Sequence, residues 1–321
     1  MKTVNGLKLL AIAAGLAMAS TAAMAADYPT RPITLIVPYP AGGGTDIVAR
    51  TLASELETAL GVTINVVNRA GGGGIVGNTA ISQARPDGYT IGVIASDISL
   101  FKPQGLADLS YENLTPIGQT NELPGGITVK ADAPYANIAE LVEAIKANPG
   151  KLKATGAPPS ANWHVGFLGF MLAADQNPDD VIWVPTQGGT AGHLDVAAGN
   201  STFSTASLVE ARALIEGGEL RPLVITANER SSVFPDVPTA SEAGINWSYG
   251  LWHGVVAPPE LPEETRQVLL EAVEKAANSE GFRNTLNERG FTHLFRGGDD
   301  FRDFMASDMK AMEEIFSRLK K

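Results

Sequence analysis

The stretch Pro38-Tyr39-Pro40-Ala41-Gly42-Gly43-Gly44-Thr45-Asp46 constrains this chain more than any other. The apolar run Ile33-Thr34-Leu35-Ile36-Val37 leads into it, and a helical pattern from Ile47 to Leu60 leads out. Strand, glycine-rich turn and helix N-terminus in that order make an anion site. The first amide N–H groups of a helix lack intrahelical acceptors, the macrodipole adds partial positive charge, and glycine lets a ligand approach the backbone. The pattern recurs: Ile64-Asn65-Val66-Val67 reads as a strand, Gly71-Gly72-Gly73-Gly74 as a loop, and Ile75 to Ala84 as a helix. Two such loops on neighbouring parallel strands face one crevice beyond the strands' carboxyl ends. A carboxylate is the expected occupant.

Residues 1–25 read as a cleavable signal peptide. Lys2 and Lys8 form a basic start, Leu9 to Ala19 an apolar run too short to span a bilayer, and Ala23-Met24-Ala25 a small-x-small cleavage site. The expected location is the periplasm. Residues 26–321 exceed the length of one usual domain and suffice to fold without disulfides, which a chain with no cysteine cannot form. A formal charge of −11 argues against nucleic acid and anionic membrane surfaces as partners. An anionic ligand must therefore be attracted locally.

Further along, Tyr89 to Ala95 reads as a third buried strand ending at Ser96-Asp97, and strand–helix repetition to this point implies a parallel sheet. Ile98 to Pro124 has no clear periodicity. After helix Ile138–Ala147, a second strand–loop–helix series begins. Its loops are Gly156 to Asn162, before a helix from Trp163, and Pro185 to Thr190, before helix Ala191–Ala198. Thr202 to Ser207 and Leu220 to Thr226 are strand-like, a proline-rich passage comes next, and helices Glu263–Ala277 and Asp300–Leu319 close the chain. The expectation is an α/β protein of two similar lobes: residues 26–125 plus 232–321, and residues 126–231. The crossings are expected near Ile127–Ala131 and Leu223–Asn228.

Several runs make the chain recognisable. Tyr28-Pro29-Thr30-Arg31-Pro32-Ile33, the Pro38 to Gly43 run with Asp46, and Asn68-Arg69-Ala70-Gly71-Gly72-Gly73-Gly74 with Gly77 are three of them. Pro86-Asp87-Gly88-Tyr89-Thr90, Gly218 to Leu223 and Phe234 to Thr239 with Glu242-Ala243-Gly244 are the others. In order, over nearly the whole chain, they resemble the periplasmic solute-binding proteins of tripartite tricarboxylate transporters, the TctC or Bug family. The resemblance implies a two-lobe Venus-flytrap fold with two crossover strands. It also implies a carboxylated ligand held by loop backbone, and membrane transporter subunits as partners. Carried over, the first-lobe site residues are Tyr39, Ala41, Gly42, Gly43, Gly44, Thr45, Asp46, Gly72, Gly73, Gly74 and Ser96. Those of the second lobe are Ser160, Trp163, His164, Thr186, Gly188, Gly189, Thr190, Ser204 and Ser207. Pro158-Pro159 stands where family members usually have a glycine- and serine-rich turn, and Thr202 where many have an aspartate.

Other chemistries fit less well. Gly72 to Gly77 satisfies the dinucleotide pattern G-x-G-x-x-G with Asp97 downstream, but consecutive glycines meet it easily and an exported protein has little access to NAD. No lysine lies between Lys8 and Lys102, which excludes a Walker A loop. The four histidines, His164, His193, His253 and His293, lack metal-ligand spacing, so no metal or cofactor is expected. Asp46 suits an N-cap as well as a ligand contact, Arg69 a structural ion pair as well as a ligand contact, and Trp247, Trp252 and His253 suit core filling first and a roof over the pocket second. No G-x-S-x-G elbow occurs, and the paired acids at helix starts complement the dipole. The reading is a monomeric periplasmic binding protein, not an enzyme, that captures a small di- or tricarboxylate for a tripartite tricarboxylate transporter. The alternatives are an extracytoplasmic sensor and, more distantly, a secreted oxidoreductase.

Overall fold

The computed structural model describes residues 28–319. The signal peptide, read at residues 1–25, lies outside them. The first elements are β1 (Ile33–Val37), α1 (Gly44–Leu60), β2 (Ile64–Asn68), α2 (Ile75–Ser82), β3 (Thr90–Ala95), the short α3 (Ile98–Phe101) and β4 (Thr115–Pro124). β1 pairs in parallel with β2 on one side and β3 on the other, as the strand–helix repeats require. Val48, Ala49, Leu52, Ala53 and Leu56 recur at helical spacing and press α1 onto this sheet. Fully burying each leucine contributes about 1.5–3 kcal/mol. Gly61, at φ +71°, ends the helix in the left-handed conformation, with its N–H on the Glu57 carbonyl.

The chain then leaves this sheet at Gly125 and builds a second one. Its elements are β5 (Gly126–Lys130), α4 (Ile138–Ala147), β6 (Lys153–Thr155), α5 (Asn162–Ala173), β7 (Ile182–Val184), α6 (Gly189–Ala197), β8 (Phe203–Ser204), α7 (Arg212–Glu216) and β9 (Leu220–Ile225). Five strands run in the order β7-β6-β8-β5-β9. The chain returns through β10 (Gly250–Ala257), α8 (Glu263–Ala277), α9 (Glu280–Glu288), β11 (Thr292–Gly297) and α10 (Gly298–Leu319). This completes a six-stranded sheet ordered β11-β4-β10-β3-β1-β2. The result is an α/β fold of two lobes. Both sheets are mixed rather than parallel throughout: β10 runs antiparallel to β3 and β4, and β5 antiparallel to β8 and β9. In each lobe the strand by which the chain comes in from the other, β5 or β10, runs against the parallel set, while the strand by which it leaves, β4 or β9, runs with it.

The strands β4 and β10 and the helix α9 have no counterpart in the sequence reading. Gln119, Thr120 and Asn121 are fully buried in β4, so no apolar alternation marks it. Their side chains are paired instead: Arg296 donates to Gln119 Oε1 at 2.7 Å and Thr120 to Asn121 Oδ1 at 3.1 Å. At the crossing, Gly125 N–H donates to the Tyr249 carbonyl (3.0 Å), Thr226 N–H to the Gly125 carbonyl (2.9 Å) and Tyr249 N–H to the Thr226 carbonyl (2.8 Å). Between Thr226 and Tyr249 the chain stays with the five-stranded sheet. Phe234 and Val237 pack with Leu208 and Ile225, and Ala240, Ile245 and Tyr249 join the second lobe's core. Helix α10 serves both lobes: Phe301 and Met305 pack with Trp252, while Met312 and Ile315 pack with Phe167 and Phe170.

Candidate ligand site

A cavity of about 420 Å³ lies between the lobes. On the first lobe it is lined by Tyr39 and Gly43 in the turn before α1, by Gly44 and Thr45 at its start, by Ala95 at the end of β3 and Asp97 beyond it, and by His253 on β10. The turn Arg289–Phe291 closes one side, and Asn162, Val209 and Glu210 come from the second lobe. Gly43 is the N-cap of α1, and the first intrahelical bond runs from Ile47 N–H to the Gly43 carbonyl at 3.0 Å. The N–H groups of Gly44, Thr45 and Asp46 precede that bond and have no intrahelical acceptor. Phe291 covers this turn, since a Cβ on Gly44 would come within 3.3 Å of its ring.

Thr45 is set as a donor by a buried chain of polar groups. Thr120 donates to Asn121 Oδ1, which leaves the Asn121 amide nitrogen to donate to His253 Nδ1 at 3.0 Å. With Nδ1 accepting, neutral His253 carries its proton on Nε2, 3.0 Å from Thr45 Oγ1. Burial lowers the His253 pKa to about 4, which keeps the ring neutral. The Thr45 oxygen is then an acceptor toward histidine, and its own O–H is free for the cavity.

Asp46, expected as a cap or ligand contact, is neither N-cap nor free. It sits three residues inside α1, buried, and accepts from Gly42 N–H (2.8 Å), Arg50 Nε (2.9 Å) and Asn68 Nδ2 (2.8 Å). Burial opposes its ionised form, but the Arg50, Gly42 and Asn68 hydrogen bonds outweigh it and hold the pKa below the usual range. Asp46 thus shapes the loop. Ala41 and Gly42 are exposed beside it, and neither lines the cavity.

The second glycine loop does not reach the cavity either. Tyr39 stands in front of it: a Cβ on Gly74 would lie 3.0 Å from the Tyr39 hydroxyl, and Gly72 and Gly73 face solvent. Only one of the two expected helix N-termini opens on the cleft. Tyr39 donates to Asp97 Oδ2 (3.0 Å), and Asn162 Nδ2 donates to Asp97 Oδ1 (2.8 Å). Ser96 and Tyr249 hydroxyls both donate to Asn162 Oδ1, at 3.3 and 2.9 Å. Asn162 therefore latches the first turn of α5 to the first lobe. Burial raises the Asp97 pKa against these hydrogen bonds.

On the second lobe Glu210 takes a central place. It accepts from Ser207 N–H at 3.3 Å. Its carboxyl lies against the first turn of α6, where a Cβ on Gly189 would collide with Oε2. Burial pushes its pKa up to about 7, against the Ser207 hydrogen bond. Thr186 bonds internally to Thr155 and the Gly188 carbonyl, Ser204 accepts from Ala206 N–H, and Thr190 is exposed. His164 is separated from the cavity. Its Nδ1 accepts from Ser160 N–H at 3.1 Å and its ring meets Trp183 edge-on at 4.6 Å. Both Ser160 and His164 line a different groove, and on α5 the positions of Asn162 and His164 point to different sides. Asp97, Asn162, Glu210, Arg289 and Phe291 line the cavity although the sequence does not single them out for it, and His253, which suits core filling first, lines it as the second reading has it. The signals are thin: Asn162 and Asp97 end recognised elements, but nothing local marks the others.

The model of the tripartite tricarboxylate transporter family receptor, TctC, matches residues 48–320. The chain belongs to the TctC family. Among its relatives, a UPF0065 protein of Bordetella pertussis is 30% identical over 99% of this chain and 98% of its own length. A TctC solute binding protein from Polaromonas, solved without ligand, superimposes with a TM-score of 0.85 at 29% identity, covering 91% of this chain and 100% of its own. MatC from Rhodopseudomonas palustris, solved with bound malate, gives a TM-score of 0.70 at 26% identity, with 90% and 100% covered. Among the described residues of this TctC protein, no helix is long and apolar enough to cross a membrane.

Proposed function

We propose that this protein captures a small organic carboxylate between its lobes in the periplasm and presents it to the membrane subunits of a tripartite tricarboxylate transporter. The observation that carries this reading is the first turn of α1. Its unbonded N–H groups and the Thr45 hydroxyl meet at the wall of an interlobe cavity. A carboxylate there gains charge-assisted hydrogen bonds and the helix dipole, the latter worth about 0.3–2 kcal/mol. Malate in the MatC structure supports the same ligand chemistry. For the lobes, we place the outward boundary at Gly125 and the return at Tyr249, because residues between Phe234 and Tyr249 pack with the second lobe. Closure would proceed about the Gly125–Thr226–Tyr249 backbone bonds, with contacts such as Asn162–Asp97 present only in the closed form.

A thermal-shift screen of small mono-, di- and tricarboxylic acids on the purified protein tests this. An acid at 100 times its Kd should stabilise by about 2.7 kcal/mol. A panel in which uncharged solutes raise the melting temperature and no acid does would refute the reading.

A further inference from the structure

We propose that Glu210 sets which ligands the cleft accepts: its carboxyl fills the place at the start of α6 where a second carboxylate would dock, so the preferred ligand carries one carboxylate at α1 and a hydrogen-bond donor, best an ammonium, at its far end. The proposal rests on the reading that α1 binds a carboxylate. Glu210 lies so close to Gly189 that even a methyl group there would collide with Oε2. No second anion can enter the same volume. The donor on that wall, Ser207 N–H, is already committed to Glu210.

Charge points the same way. Asp97 and Glu210 are the carboxyl groups lining the cavity, Arg289 is the one cation lining it, and His253 is held neutral. Arg289 forms no ion pair among the described residues. With a dicarboxylate, four carboxyl groups would share that guanidinium within a cavity of about 420 Å³. With an amino-carboxylate, the far ammonium faces Glu210. Like charges a few ångströms apart in such a space repel strongly, and opposite ones attract as strongly.

Calorimetry at pH 8, above the Glu210 pKa of about 7, tests this with two pairs of equal span: succinate against 4-aminobutanoate, and adipate against 6-aminohexanoate. In at least one pair the amino acid should bind tenfold or more tightly than its diacid, and Glu210→Gln should erase or reverse that preference. The unsubstituted protein gives a second reading should the variant fold poorly. At pH 6, Glu210 takes up a proton and becomes a donor, so the diacid should gain on the amino acid. The titratable groups around Glu210 are Asp97, His253 and Arg289 across the cavity and His193 behind Ser207. Both histidines stay neutral down to about 4. Tighter binding of the diacids by the parent, or a preference unchanged by both Glu210→Gln and pH, would overturn the inference and leave the carboxylate reading intact. If none of the four acids bound either protein, both would fall.

Discussion

His253 and Thr45 are 208 positions apart in the chain, yet they act as one unit. The histidine contributes a fixed proton, and the threonine turns that into a hydroxyl free for the cavity. Thr45→Val keeps the shape and removes the donor, so affinity for an acid identified by the screen should fall about 10- to 100-fold, the worth of a hydrogen bond to a charged group. Thr45→Ser should retain most of it, by calorimetry. At Glu210 the prediction concerns stability. Its folded pKa, about 7, exceeds the unfolded value near 4.5, so the unfolded chain loses the proton first as pH rises. The stability from this group is complete below about 4.5 and is lost through about 7. Denaturant titrations should therefore show Glu210→Gln gaining on the parent by about 2–3 kcal/mol between pH 4.5 and pH 8. Thr45 is visible in the sequence because it sits in the glycine motif. Glu210 is not, and His253 shows only as a choice between core and pocket roof, because their roles come from interlobe contact and strand pairing.

At the scale of elements, local rules carry furthest where one strand feeds one helix. β1 with α1 and β2 with α2 follow from apolar runs, glycine turns and helical spacing. The second glycine loop shows the limit, since its pattern matches the first while Tyr39 occupies the ground in front of it. The contribution of α2 is close packing. A Cβ on Gly77 would meet the Pro38 Cα at 2.5 Å and the Arg69 carbonyl oxygen at 2.7 Å, both backbone atoms that cannot swing away. Gly77→Ala should cost about 1–3 kcal/mol of stability by overpacking, read from the denaturation midpoint. It should also weaken ligand binding by displacing Pro38 and Tyr39. Strand β4 is hard to read for the opposite reason: its buried polar residues pair with Arg296 and His253 on the neighbouring strands and with each other, and that leaves no apolar period. Helix α9 lies between two longer helices and is too short for its own period to stand out.

For the whole molecule, two lobes are legible from the repeated strand–loop–helix series, and so are crossings beside β5 and β9, but the first-lobe strands β4 and β10 that they join and the reach of α10 are not. Amphipathic spacing places Phe301, Met305, Met312 and Ile315 on one face, yet it carries no information about which lobe each residue meets. In the fold, that single face spans both cores. Any closing motion must therefore pivot close to α10 as well as to the Gly125 crossing. The central claim, that the start of α1 holds a carboxylate inside this cleft, is most directly tested by calorimetry on one matched pair. The acid giving the largest thermal shift is compared with its methyl ester, esterified at a single carboxyl and titrated at the same pH and salt. The account predicts that the acid binds at least tenfold more tightly, a difference of about 1.4 kcal/mol or more. Equal affinity for acid and ester would contradict it.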